Sequence, residues 1–254
     1  MQINTDGLVI AEKIVGENDR LITLLTRDEG VIRAFAPLAK TLKSKQSSAT
    51  QLLCYSQFAI YRGRDKYIVN DAQPLQVFFD LRSDIETVAL AQYFCQLAAV
   101  LAPAEMPAGD FLRLVLNALH LLAQKKRPHN ILKAAVEMRM LALAGYMPDF
   151  ICCQECGVYQ VQDMVFLPAS GVIYCSDCYH NATEFAFHVT PGIMTALRHT
   201  IYADFDKVFS FQLPLQGQRQ LAEITEAYLL QTLERRFTTL DFYHQVTEFA
   251  AQTN

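Results

Sequence analysis

The sequence predicts an α+β protein of several domains: a small N-terminal β-barrel, then a helical body interrupted by a four-cysteine ribbon. Three observations carry this. Short strand-like runs separated by turn residues fill the first eighty positions, the apolar period lengthens to that of helices from about residue 81, and two Cys-x2-Cys pairs stand between residues 151 and 180. The expected segments are a barrel over 1–80, a first helical part over 81–150, the ribbon over 151–180, and a second helical part over 181–254.

The strand runs are Gly7-Leu8-Val9-Ile10, Arg20 to Thr26 and Val31 to Ala36, then Leu52 to Tyr61, Tyr67-Ile68-Val69 and Leu75 to Phe79. They are rich in β-branched and aromatic residues, and Asp28-Glu29-Gly30 supplies hairpin chemistry, with Gly30 free to take a positive φ. Closing so many short strands into a barrel removes exposed edges. The pattern also allows an SH3-like barrel or a small sandwich. Beyond residue 81, Val88, Ala91, Cys95, Ala98 and Ala99 form one helical stripe, and Phe111, Leu112, Val115, Leu116, Leu119 and Leu122 form another, with Asp110 as a capping candidate. A third helix is expected over about 130–144 with Gly145 at its C-terminal cap, a fourth opening at Thr190-Pro191, and a long fifth over about 216–237.

The chain has 254 residues, 52% hydrophobic and 19% charged, enough apolar material to exclude a largely disordered or low-complexity protein. The net charge of -4 excludes a uniformly basic nucleic-acid coat but conceals an uneven distribution. Residues 33–66 carry Arg33, Lys40, Lys43, Lys45, Arg62, Arg64 and Lys66 against Asp65 alone, a net +6. Such an island on an acidic protein is expected of a polyanion-binding face. No basic stretch followed by an apolar run opens the sequence, and the longest apolar stretch, 88–102, is interrupted by Gln92 and Gln96. A cytoplasmic protein that does not cross a membrane is therefore expected, with its cysteines reduced.

Cys153-Gln-Glu-Cys156 and Cys175-Ser-Asp-Cys178 have the spacing of two zinc knuckles. Four thiolates so arranged surround one ion tetrahedrally and favour Zn2+ in a structural site, with iron a weaker match and an iron–sulfur cluster weaker still. Cys152 and His180 flank the knuckles as substitute ligands or bystanders, and Cys54 and Cys95 sit in apolar stretches as core residues. A four-thiolate site leaves no open coordination position, so it folds a segment rather than catalyses. No phosphate-binding glycine loop, dinucleotide fingerprint, nucleophile elbow or deaminase signature is present, and Glu137, Asp163 and Asp204 read as solvated or ion-paired acids. No enzymatic activity is expected.

The stretch from Glu137 through Gly145-Tyr146-Met147-Pro148 to Cys153-Gln-Glu-Cys156-Gly157 resembles the RecO family of DNA repair and recombination mediators, at its helix, Leu-Gly-Tyr-x-Pro turn and first knuckle, with Ala144 where the family usually has Leu. Phe166-Leu-Pro-Ala-Ser-Gly171-Val-Ile-Tyr-Cys175-Ser-Asp-Cys178 is similar to the second knuckle. Gly7-Leu-Val-Ile, Gly16-Glu17-Asn18-Asp19 and Leu24-Leu25-Thr26 through Gly30 are similar to the family's opening. Where the family usually has Lys-Gly-Ala-Arg after the third strand, this chain has Pro37-Leu38-Ala39-Lys40, while Lys40, Ser44 and Lys45 match later positions.

The resemblance implies that the barrel is an OB-fold and that the role is non-enzymatic. It implies binding of single- and double-stranded DNA, annealing of complementary strands, and work with RecR, in many cases alongside RecF, to replace single-stranded DNA-binding protein (SSB) with RecA. The seven basic residues of the island are the expected DNA contacts, with Tyr55, Phe58, Tyr61 and Tyr67 as stacking candidates. Lys125, Lys126, Arg127, Lys133 and Arg139 are the expected anchors for the acidic C-terminal tail of SSB. The competing readings are a zinc-ribbon adaptor that binds proteins without touching DNA, and an unrecognised metalloenzyme.

Overall fold

The computed structural model describes residues 1–41, 46–64, 66–180 and 183–253, with 251–253 as backbone only. Two of the expected DNA contacts, Lys43 and Lys45, lie outside the described residues. By packing, the chain separates into one unit made of Met1–Lys126 with Phe237–Asn254, and a second made of Arg127–Arg236.

The first unit opens with β1 (Gln2–Val15), β2 (Asp19–Thr26) and β3 (Val31–Ala36), passes a short helix α1 (Gln46–Ala49), and continues with β4 (Cys54–Arg62) and β5 (Tyr67–Val77). These close in the order β1-β2-β3-β5-β4, with β4 returning to β1. Every pairing is antiparallel except β3 with β5, which are parallel at Ala34↔Tyr67 and Phe35↔Ile68. That is the five-strand Greek-key barrel of an OB-fold. Strand alternation fills it: Val9, Ile22, Leu24, Ile32, Ala34, Phe58, Ile60 and Val69 point inward and are buried. The two runs expected at 67–69 and 75–79 are one continuous strand, β5, because the polar Asn70, Asp71 and Gln73 between them face outward on the pairing partner of β4.

Gly30 takes φ +59 in the β2–β3 turn, and a Cβ there would lie 2.2 Å from the carbonyl oxygen of Pro103. Only glycine admits this approach, which brings the 102–108 loop onto the barrel: Val31 N–H donates to Pro103 O at 2.8 Å and Ala108 N–H to Arg27 O at 2.9 Å.

That loop joins α2 (Ile85–Leu101) to α3 (Gly109–Ala123). Helix α2 is buried almost all round, from Leu90 and Tyr93 to Leu97 and Leu101, because it packs on β1, β2, α3 and α7 (Thr238–Thr253). The final helix therefore packs internally on its own unit, with Phe237 edge-on to Tyr93 at 6.0 Å. Gln96 Oε1 accepts the Thr239 N–H at the start of α7. The helical period suggests one helix to about 237; instead Glu234 adopts left-handed φ +47 and ends α6 (Leu215–Leu233). Asp110 lies inside the first turn of α3 and does not cap it through its side chain; the capping position is Ala108.

The second unit holds α4 (His129–Leu143), α5 (Pro191–Tyr202) and α6 around a small sheet of β6 (Met164–Leu167), β7 (Val172–Cys175) and β8 (Phe187–Val189), ordered β7-β6-β8. Gly145, at φ +88, terminates α4: its N–H reaches Ala142 O and that of Tyr146 reaches Leu141 O, a Schellman closure. Phe166 of β6 stacks edge-on with Phe150 and with Tyr228 of α6, at 5.0 and 5.7 Å. These rings seat the sheet on the helices.

Candidate metal centre and nucleic-acid face

Each Cys-x2-Cys pair closes a tight turn. In the first, Gly157 N–H returns to Cys153 O at 3.0 Å and Cys153 N–H donates to Val158 O at 2.9 Å, with Gly157 in the left-handed region. In the second, at the end of β7, the N–H groups of Cys178 and Tyr179 both reach Cys175 O. Pairing of β6 with β7, and the Gln154 N–H bond to Ile173 O, bring the turns face to face. The result is that the Sγ atoms of Cys153, Cys156, Cys175 and Cys178 all lie within 4.8 Å of one another.

Cys156 and Cys175 Sγ are 3.7 Å apart. Tetrahedral ligation with metal–sulfur bonds of about 2.3 Å requires separations of roughly 3.8 Å, so the donor set fits a four-coordinate ion. The electrostatics agree. Burial pushes the Cys153 thiol up, but N–H groups of Cys156, Cys175 and Glu155 around its sulfur outweigh this and bring it to about 6. Cys178 is pushed well above its ordinary value by its contacts with Cys175 and Cys156. Four sulfurs this close cannot all carry charge unless a cation sits among them. Cys152 and His180 are not in the cluster.

One arginine that sequence reasoning passed over supports this centre. Arg198 of α5, nearly buried, donates to the carbonyls of Phe150, Ile151 and Tyr159 and to Gln160 Oε1, bracketing the first knuckle. No spacing rule flags it, because its acceptors are mostly backbone and lie some forty residues away.

On the barrel, Arg33, Lys40, Arg62, Arg64 and Lys66 are exposed. The turn closed by Gly63 N–H and Lys66 O presents Arg64 and Lys66, and Arg33 on β3 sits one position before the Ala34↔Tyr67 pair, beside Lys66 in register. Arg33, Arg62, Arg64 and Lys66 therefore share one end of the barrel. Lys40 lies apart, beyond the far end of β3, where its N–H donates to Asn18 O in the β1–β2 turn. Among the described residues Arg33, Lys40, Arg64 and Lys66 form no ion pair. Arg62 is paired, to Glu105 at 2.9 Å and Glu29 at 3.5 Å.

Of the aromatic candidates, Phe58 is in the core, the Tyr55 hydroxyl donates to Asp6, and Tyr67 is half-buried with its hydroxyl on Glu105. Tyr61 alone of the four is openly exposed, at 46%.

The expected tail anchors divide. Lys125 and Lys126 are exposed and Arg127 is half-buried. Lys133 and Arg139 are not available to a partner, which corrects the expectation for these two. Lys133, 2% exposed, pairs with Glu137 at 2.9 Å and Glu226 at 2.7 Å. Arg139 donates to the carbonyls of Thr200 and Ala203, neutralising the C-terminal end of α5. Both side chains project from the inner face of α4, so their charges are answered within the second unit.

Comparison with known proteins covers both halves. Residues 1–78 match the family described as Recombination protein O N terminal, and 82–241 match Recombination protein O C terminal. The chain is 32% identical to the DNA repair protein RecO of Acetivibrio thermocellus over 94% of its own length and 95% of the relative's. It is 31% identical to that of Desulforudis audaxviator, over 96% and 97%, and 27% identical to that of Symbiobacterium thermophilum, over 94% and 95%. Among the described residues no helix is long and apolar enough to cross a membrane. Matched by both family models and by these relatives along nearly the whole chain, this OB-fold barrel with its helical body and four-thiol ribbon belongs to the RecO family of recombination mediators in DNA repair.

Proposed function

We propose that this chain binds DNA through the β4–β5 end of its barrel, anneals complementary single strands, and helps RecA replace SSB without catalysing a reaction itself. The observation that carries this is the gathering of Arg33, Arg64 and Lys66 at one barrel end, where they form no ion pair among the described residues. Such cations neutralise phosphates and release counterions, which gives sequence-tolerant, salt-sensitive binding to single- and double-stranded DNA. Tyr61 is the ring available for stacking a base, worth about 1–3 kcal/mol. Lys40, exposed beyond the far end of β3, would take a phosphate further along the strand; Lys43 and Lys45, expected as further contacts, lie outside the described residues.

Zn2+ is the ion the cysteine cluster suits, and with four thiolates it would hold the ribbon in shape. RecR, and in some settings RecF, are the expected partners, as family resemblance supports. For the SSB tail, Lys125, Lys126 and Arg127 remain as basic anchors. A protein with this work acts in the cytoplasm, where the chromosome is.

The test is fluorescence anisotropy of a labelled oligonucleotide across a salt series. Wild type should bind with salt-dependent affinity, and Arg64→Glu/Lys66→Glu should bind at least tenfold more weakly. Binding untouched by these substitutions would move the DNA site off this end. Absence of binding would leave a protein-only adaptor.

A further inference from the structure

Among the described residues at the end of the barrel where the cations gather, Arg62 is the one paired with acidic side chains. Glu105, from the 102–108 loop, accepts from Arg62 Nη2 through Oε2 at 2.9 Å and from the Tyr67 hydroxyl through Oε1 at 3.0 Å. The guanidinium lies 5.5 Å from the centroid of the Tyr67 ring, so the two donors form one face. A carboxylate bridging them with two oxygens sits as two phosphate oxygens would. Glu29, at 3.5 Å from Arg62 Nη1, is a looser neighbour.

The loop that carries Glu105 is fastened by its backbone, through Val31 N–H to Pro103 O and Ala108 N–H to Arg27 O, and Gly30 permits that close contact. The Glu105 side chain itself is 53% exposed. Its carboxylate is therefore open to an incoming phosphate, while the loop that presents it is held by backbone bonds.

We propose that Arg62 and the Tyr67 hydroxyl form a phosphate subsite for single-stranded DNA, and that the Glu105 carboxylate occupies it as an internal competitor that phosphate must displace. This rests on the reading of the β4–β5 end as the DNA face. The competitor weakens the grip by one contact and lets the strand be released in steps: as each phosphate leaves Arg62, Glu105 closes behind it. Arg64 and Lys66, next along the same turn, provide the first hold.

The experiment is anisotropy with labelled oligo(dT) over a salt series, using Glu105→Gln, Arg62→Ala, the double variant, and Glu17→Gln as a control for net charge at the exposed β1–β2 turn. Glu105→Gln is expected to bind about two- to fivefold tighter, the range of one exposed ion pair. Its dependence of log affinity on log salt should steepen by about 0.7, the increment for one more phosphate on a single strand. Glu17→Gln should do neither, and Arg62→Ala should abolish the gain in the double variant. Unchanged affinity and slope in Glu105→Gln, or a gain that survives Arg62→Ala, overturns the proposal. Arg64→Glu/Lys66→Glu, run beside them, separates the two failures: if it weakens binding while Glu105→Gln does nothing, the DNA face stands and only the competitor falls.

Discussion

The guanidinium of Arg198 lies 3.8 Å from the centre of the Tyr159 ring while donating to that residue's own carbonyl. With its bonds to Phe150, Ile151 and Gln160, this one side chain ties helix α5 to the segment on both sides of the first knuckle. These acceptors are carbonyl and amide oxygens, whose dipoles face the charge. Arg198→Met should therefore leave buried acceptors without donors, destabilise the second unit by about 2–4 kcal/mol, and speed loss of the bound ion to a chelator roughly tenfold or more. Arg198→Lys, which keeps the charge but loses the planar fork, should fall between. Chelator-release kinetics beside urea unfolding checks both.

The cysteine cluster predicts one ion per chain. Purified protein should contain about one equivalent of zinc by elemental analysis, and Co2+ substitution should give the spectrum of four thiolates. Cys153→Ser or Cys178→Ser should lose the ion, and chelation should open the ribbon to proteolysis. An open coordination site in the cobalt spectrum would contradict the structural role.

The Lys133 network predicts an asymmetry. Lys133→Met removes the ammonium that pairs with both Glu226 and Glu137, the latter wholly buried and bonded to Thr225 at 2.6 Å. Burial already pushes the Glu137 carboxyl up, and Lys133 opposes that. Removing one partner of such a group costs about 3–5 kcal/mol. Lys125→Glu/Lys126→Glu, on exposed positions, should change stability by less than about 1 kcal/mol and should weaken binding of an acidic tail peptide by calorimetry. Equal destabilisation by the two variants would be the contrary result.

Asp6 predicts a pH dependence. Arg27 Nε and Nη2 donate to its two oxygens at 2.8 and 2.9 Å. These bonds lower its carboxyl below the ordinary value against the opposing effect of burial, with the Tyr55 hydroxyl adding to them. Because the folded-state value is the lower one, this stabilisation is complete above the unfolded value of about 3.9 and is lost as pH falls through the folded value. Asp6→Asn should cost about 1 kcal/mol at pH 7, with the gap to wild type closing as pH drops from about 5 to 3. A gap constant over that range would show that the ion pair contributes nothing.

Residues 1–79 were largely legible because barrel strands announce themselves by alternation and by turn residues such as Gly30, and Cys153, Cys156, Cys175 and Cys178 because knuckle spacing is local. The closure order was not: that β3 runs parallel to β5 depends on pairing between residues thirty-three apart, which no local pattern encodes. Lys133 and Arg139 were misplaced for a similar reason. A charged residue on α4 looks exposed until α5 and α6 are known to cover that face, and the acid that answers Lys133, Glu226, stands far along the chain. Arg198 and Glu105 were missed because they act on atoms brought near only by the fold.

The most direct test of the central claim is annealing of two complementary single strands coated with SSB, followed by energy transfer between dyes on the strands. Wild type should accelerate annealing at low salt, and Arg64→Glu/Lys66→Glu, with its melting temperature unchanged, should lose at least tenfold of that acceleration. Full annealing by this variant, or none by the wild type, would contradict a recombination mediator that works through the β4–β5 end of its barrel.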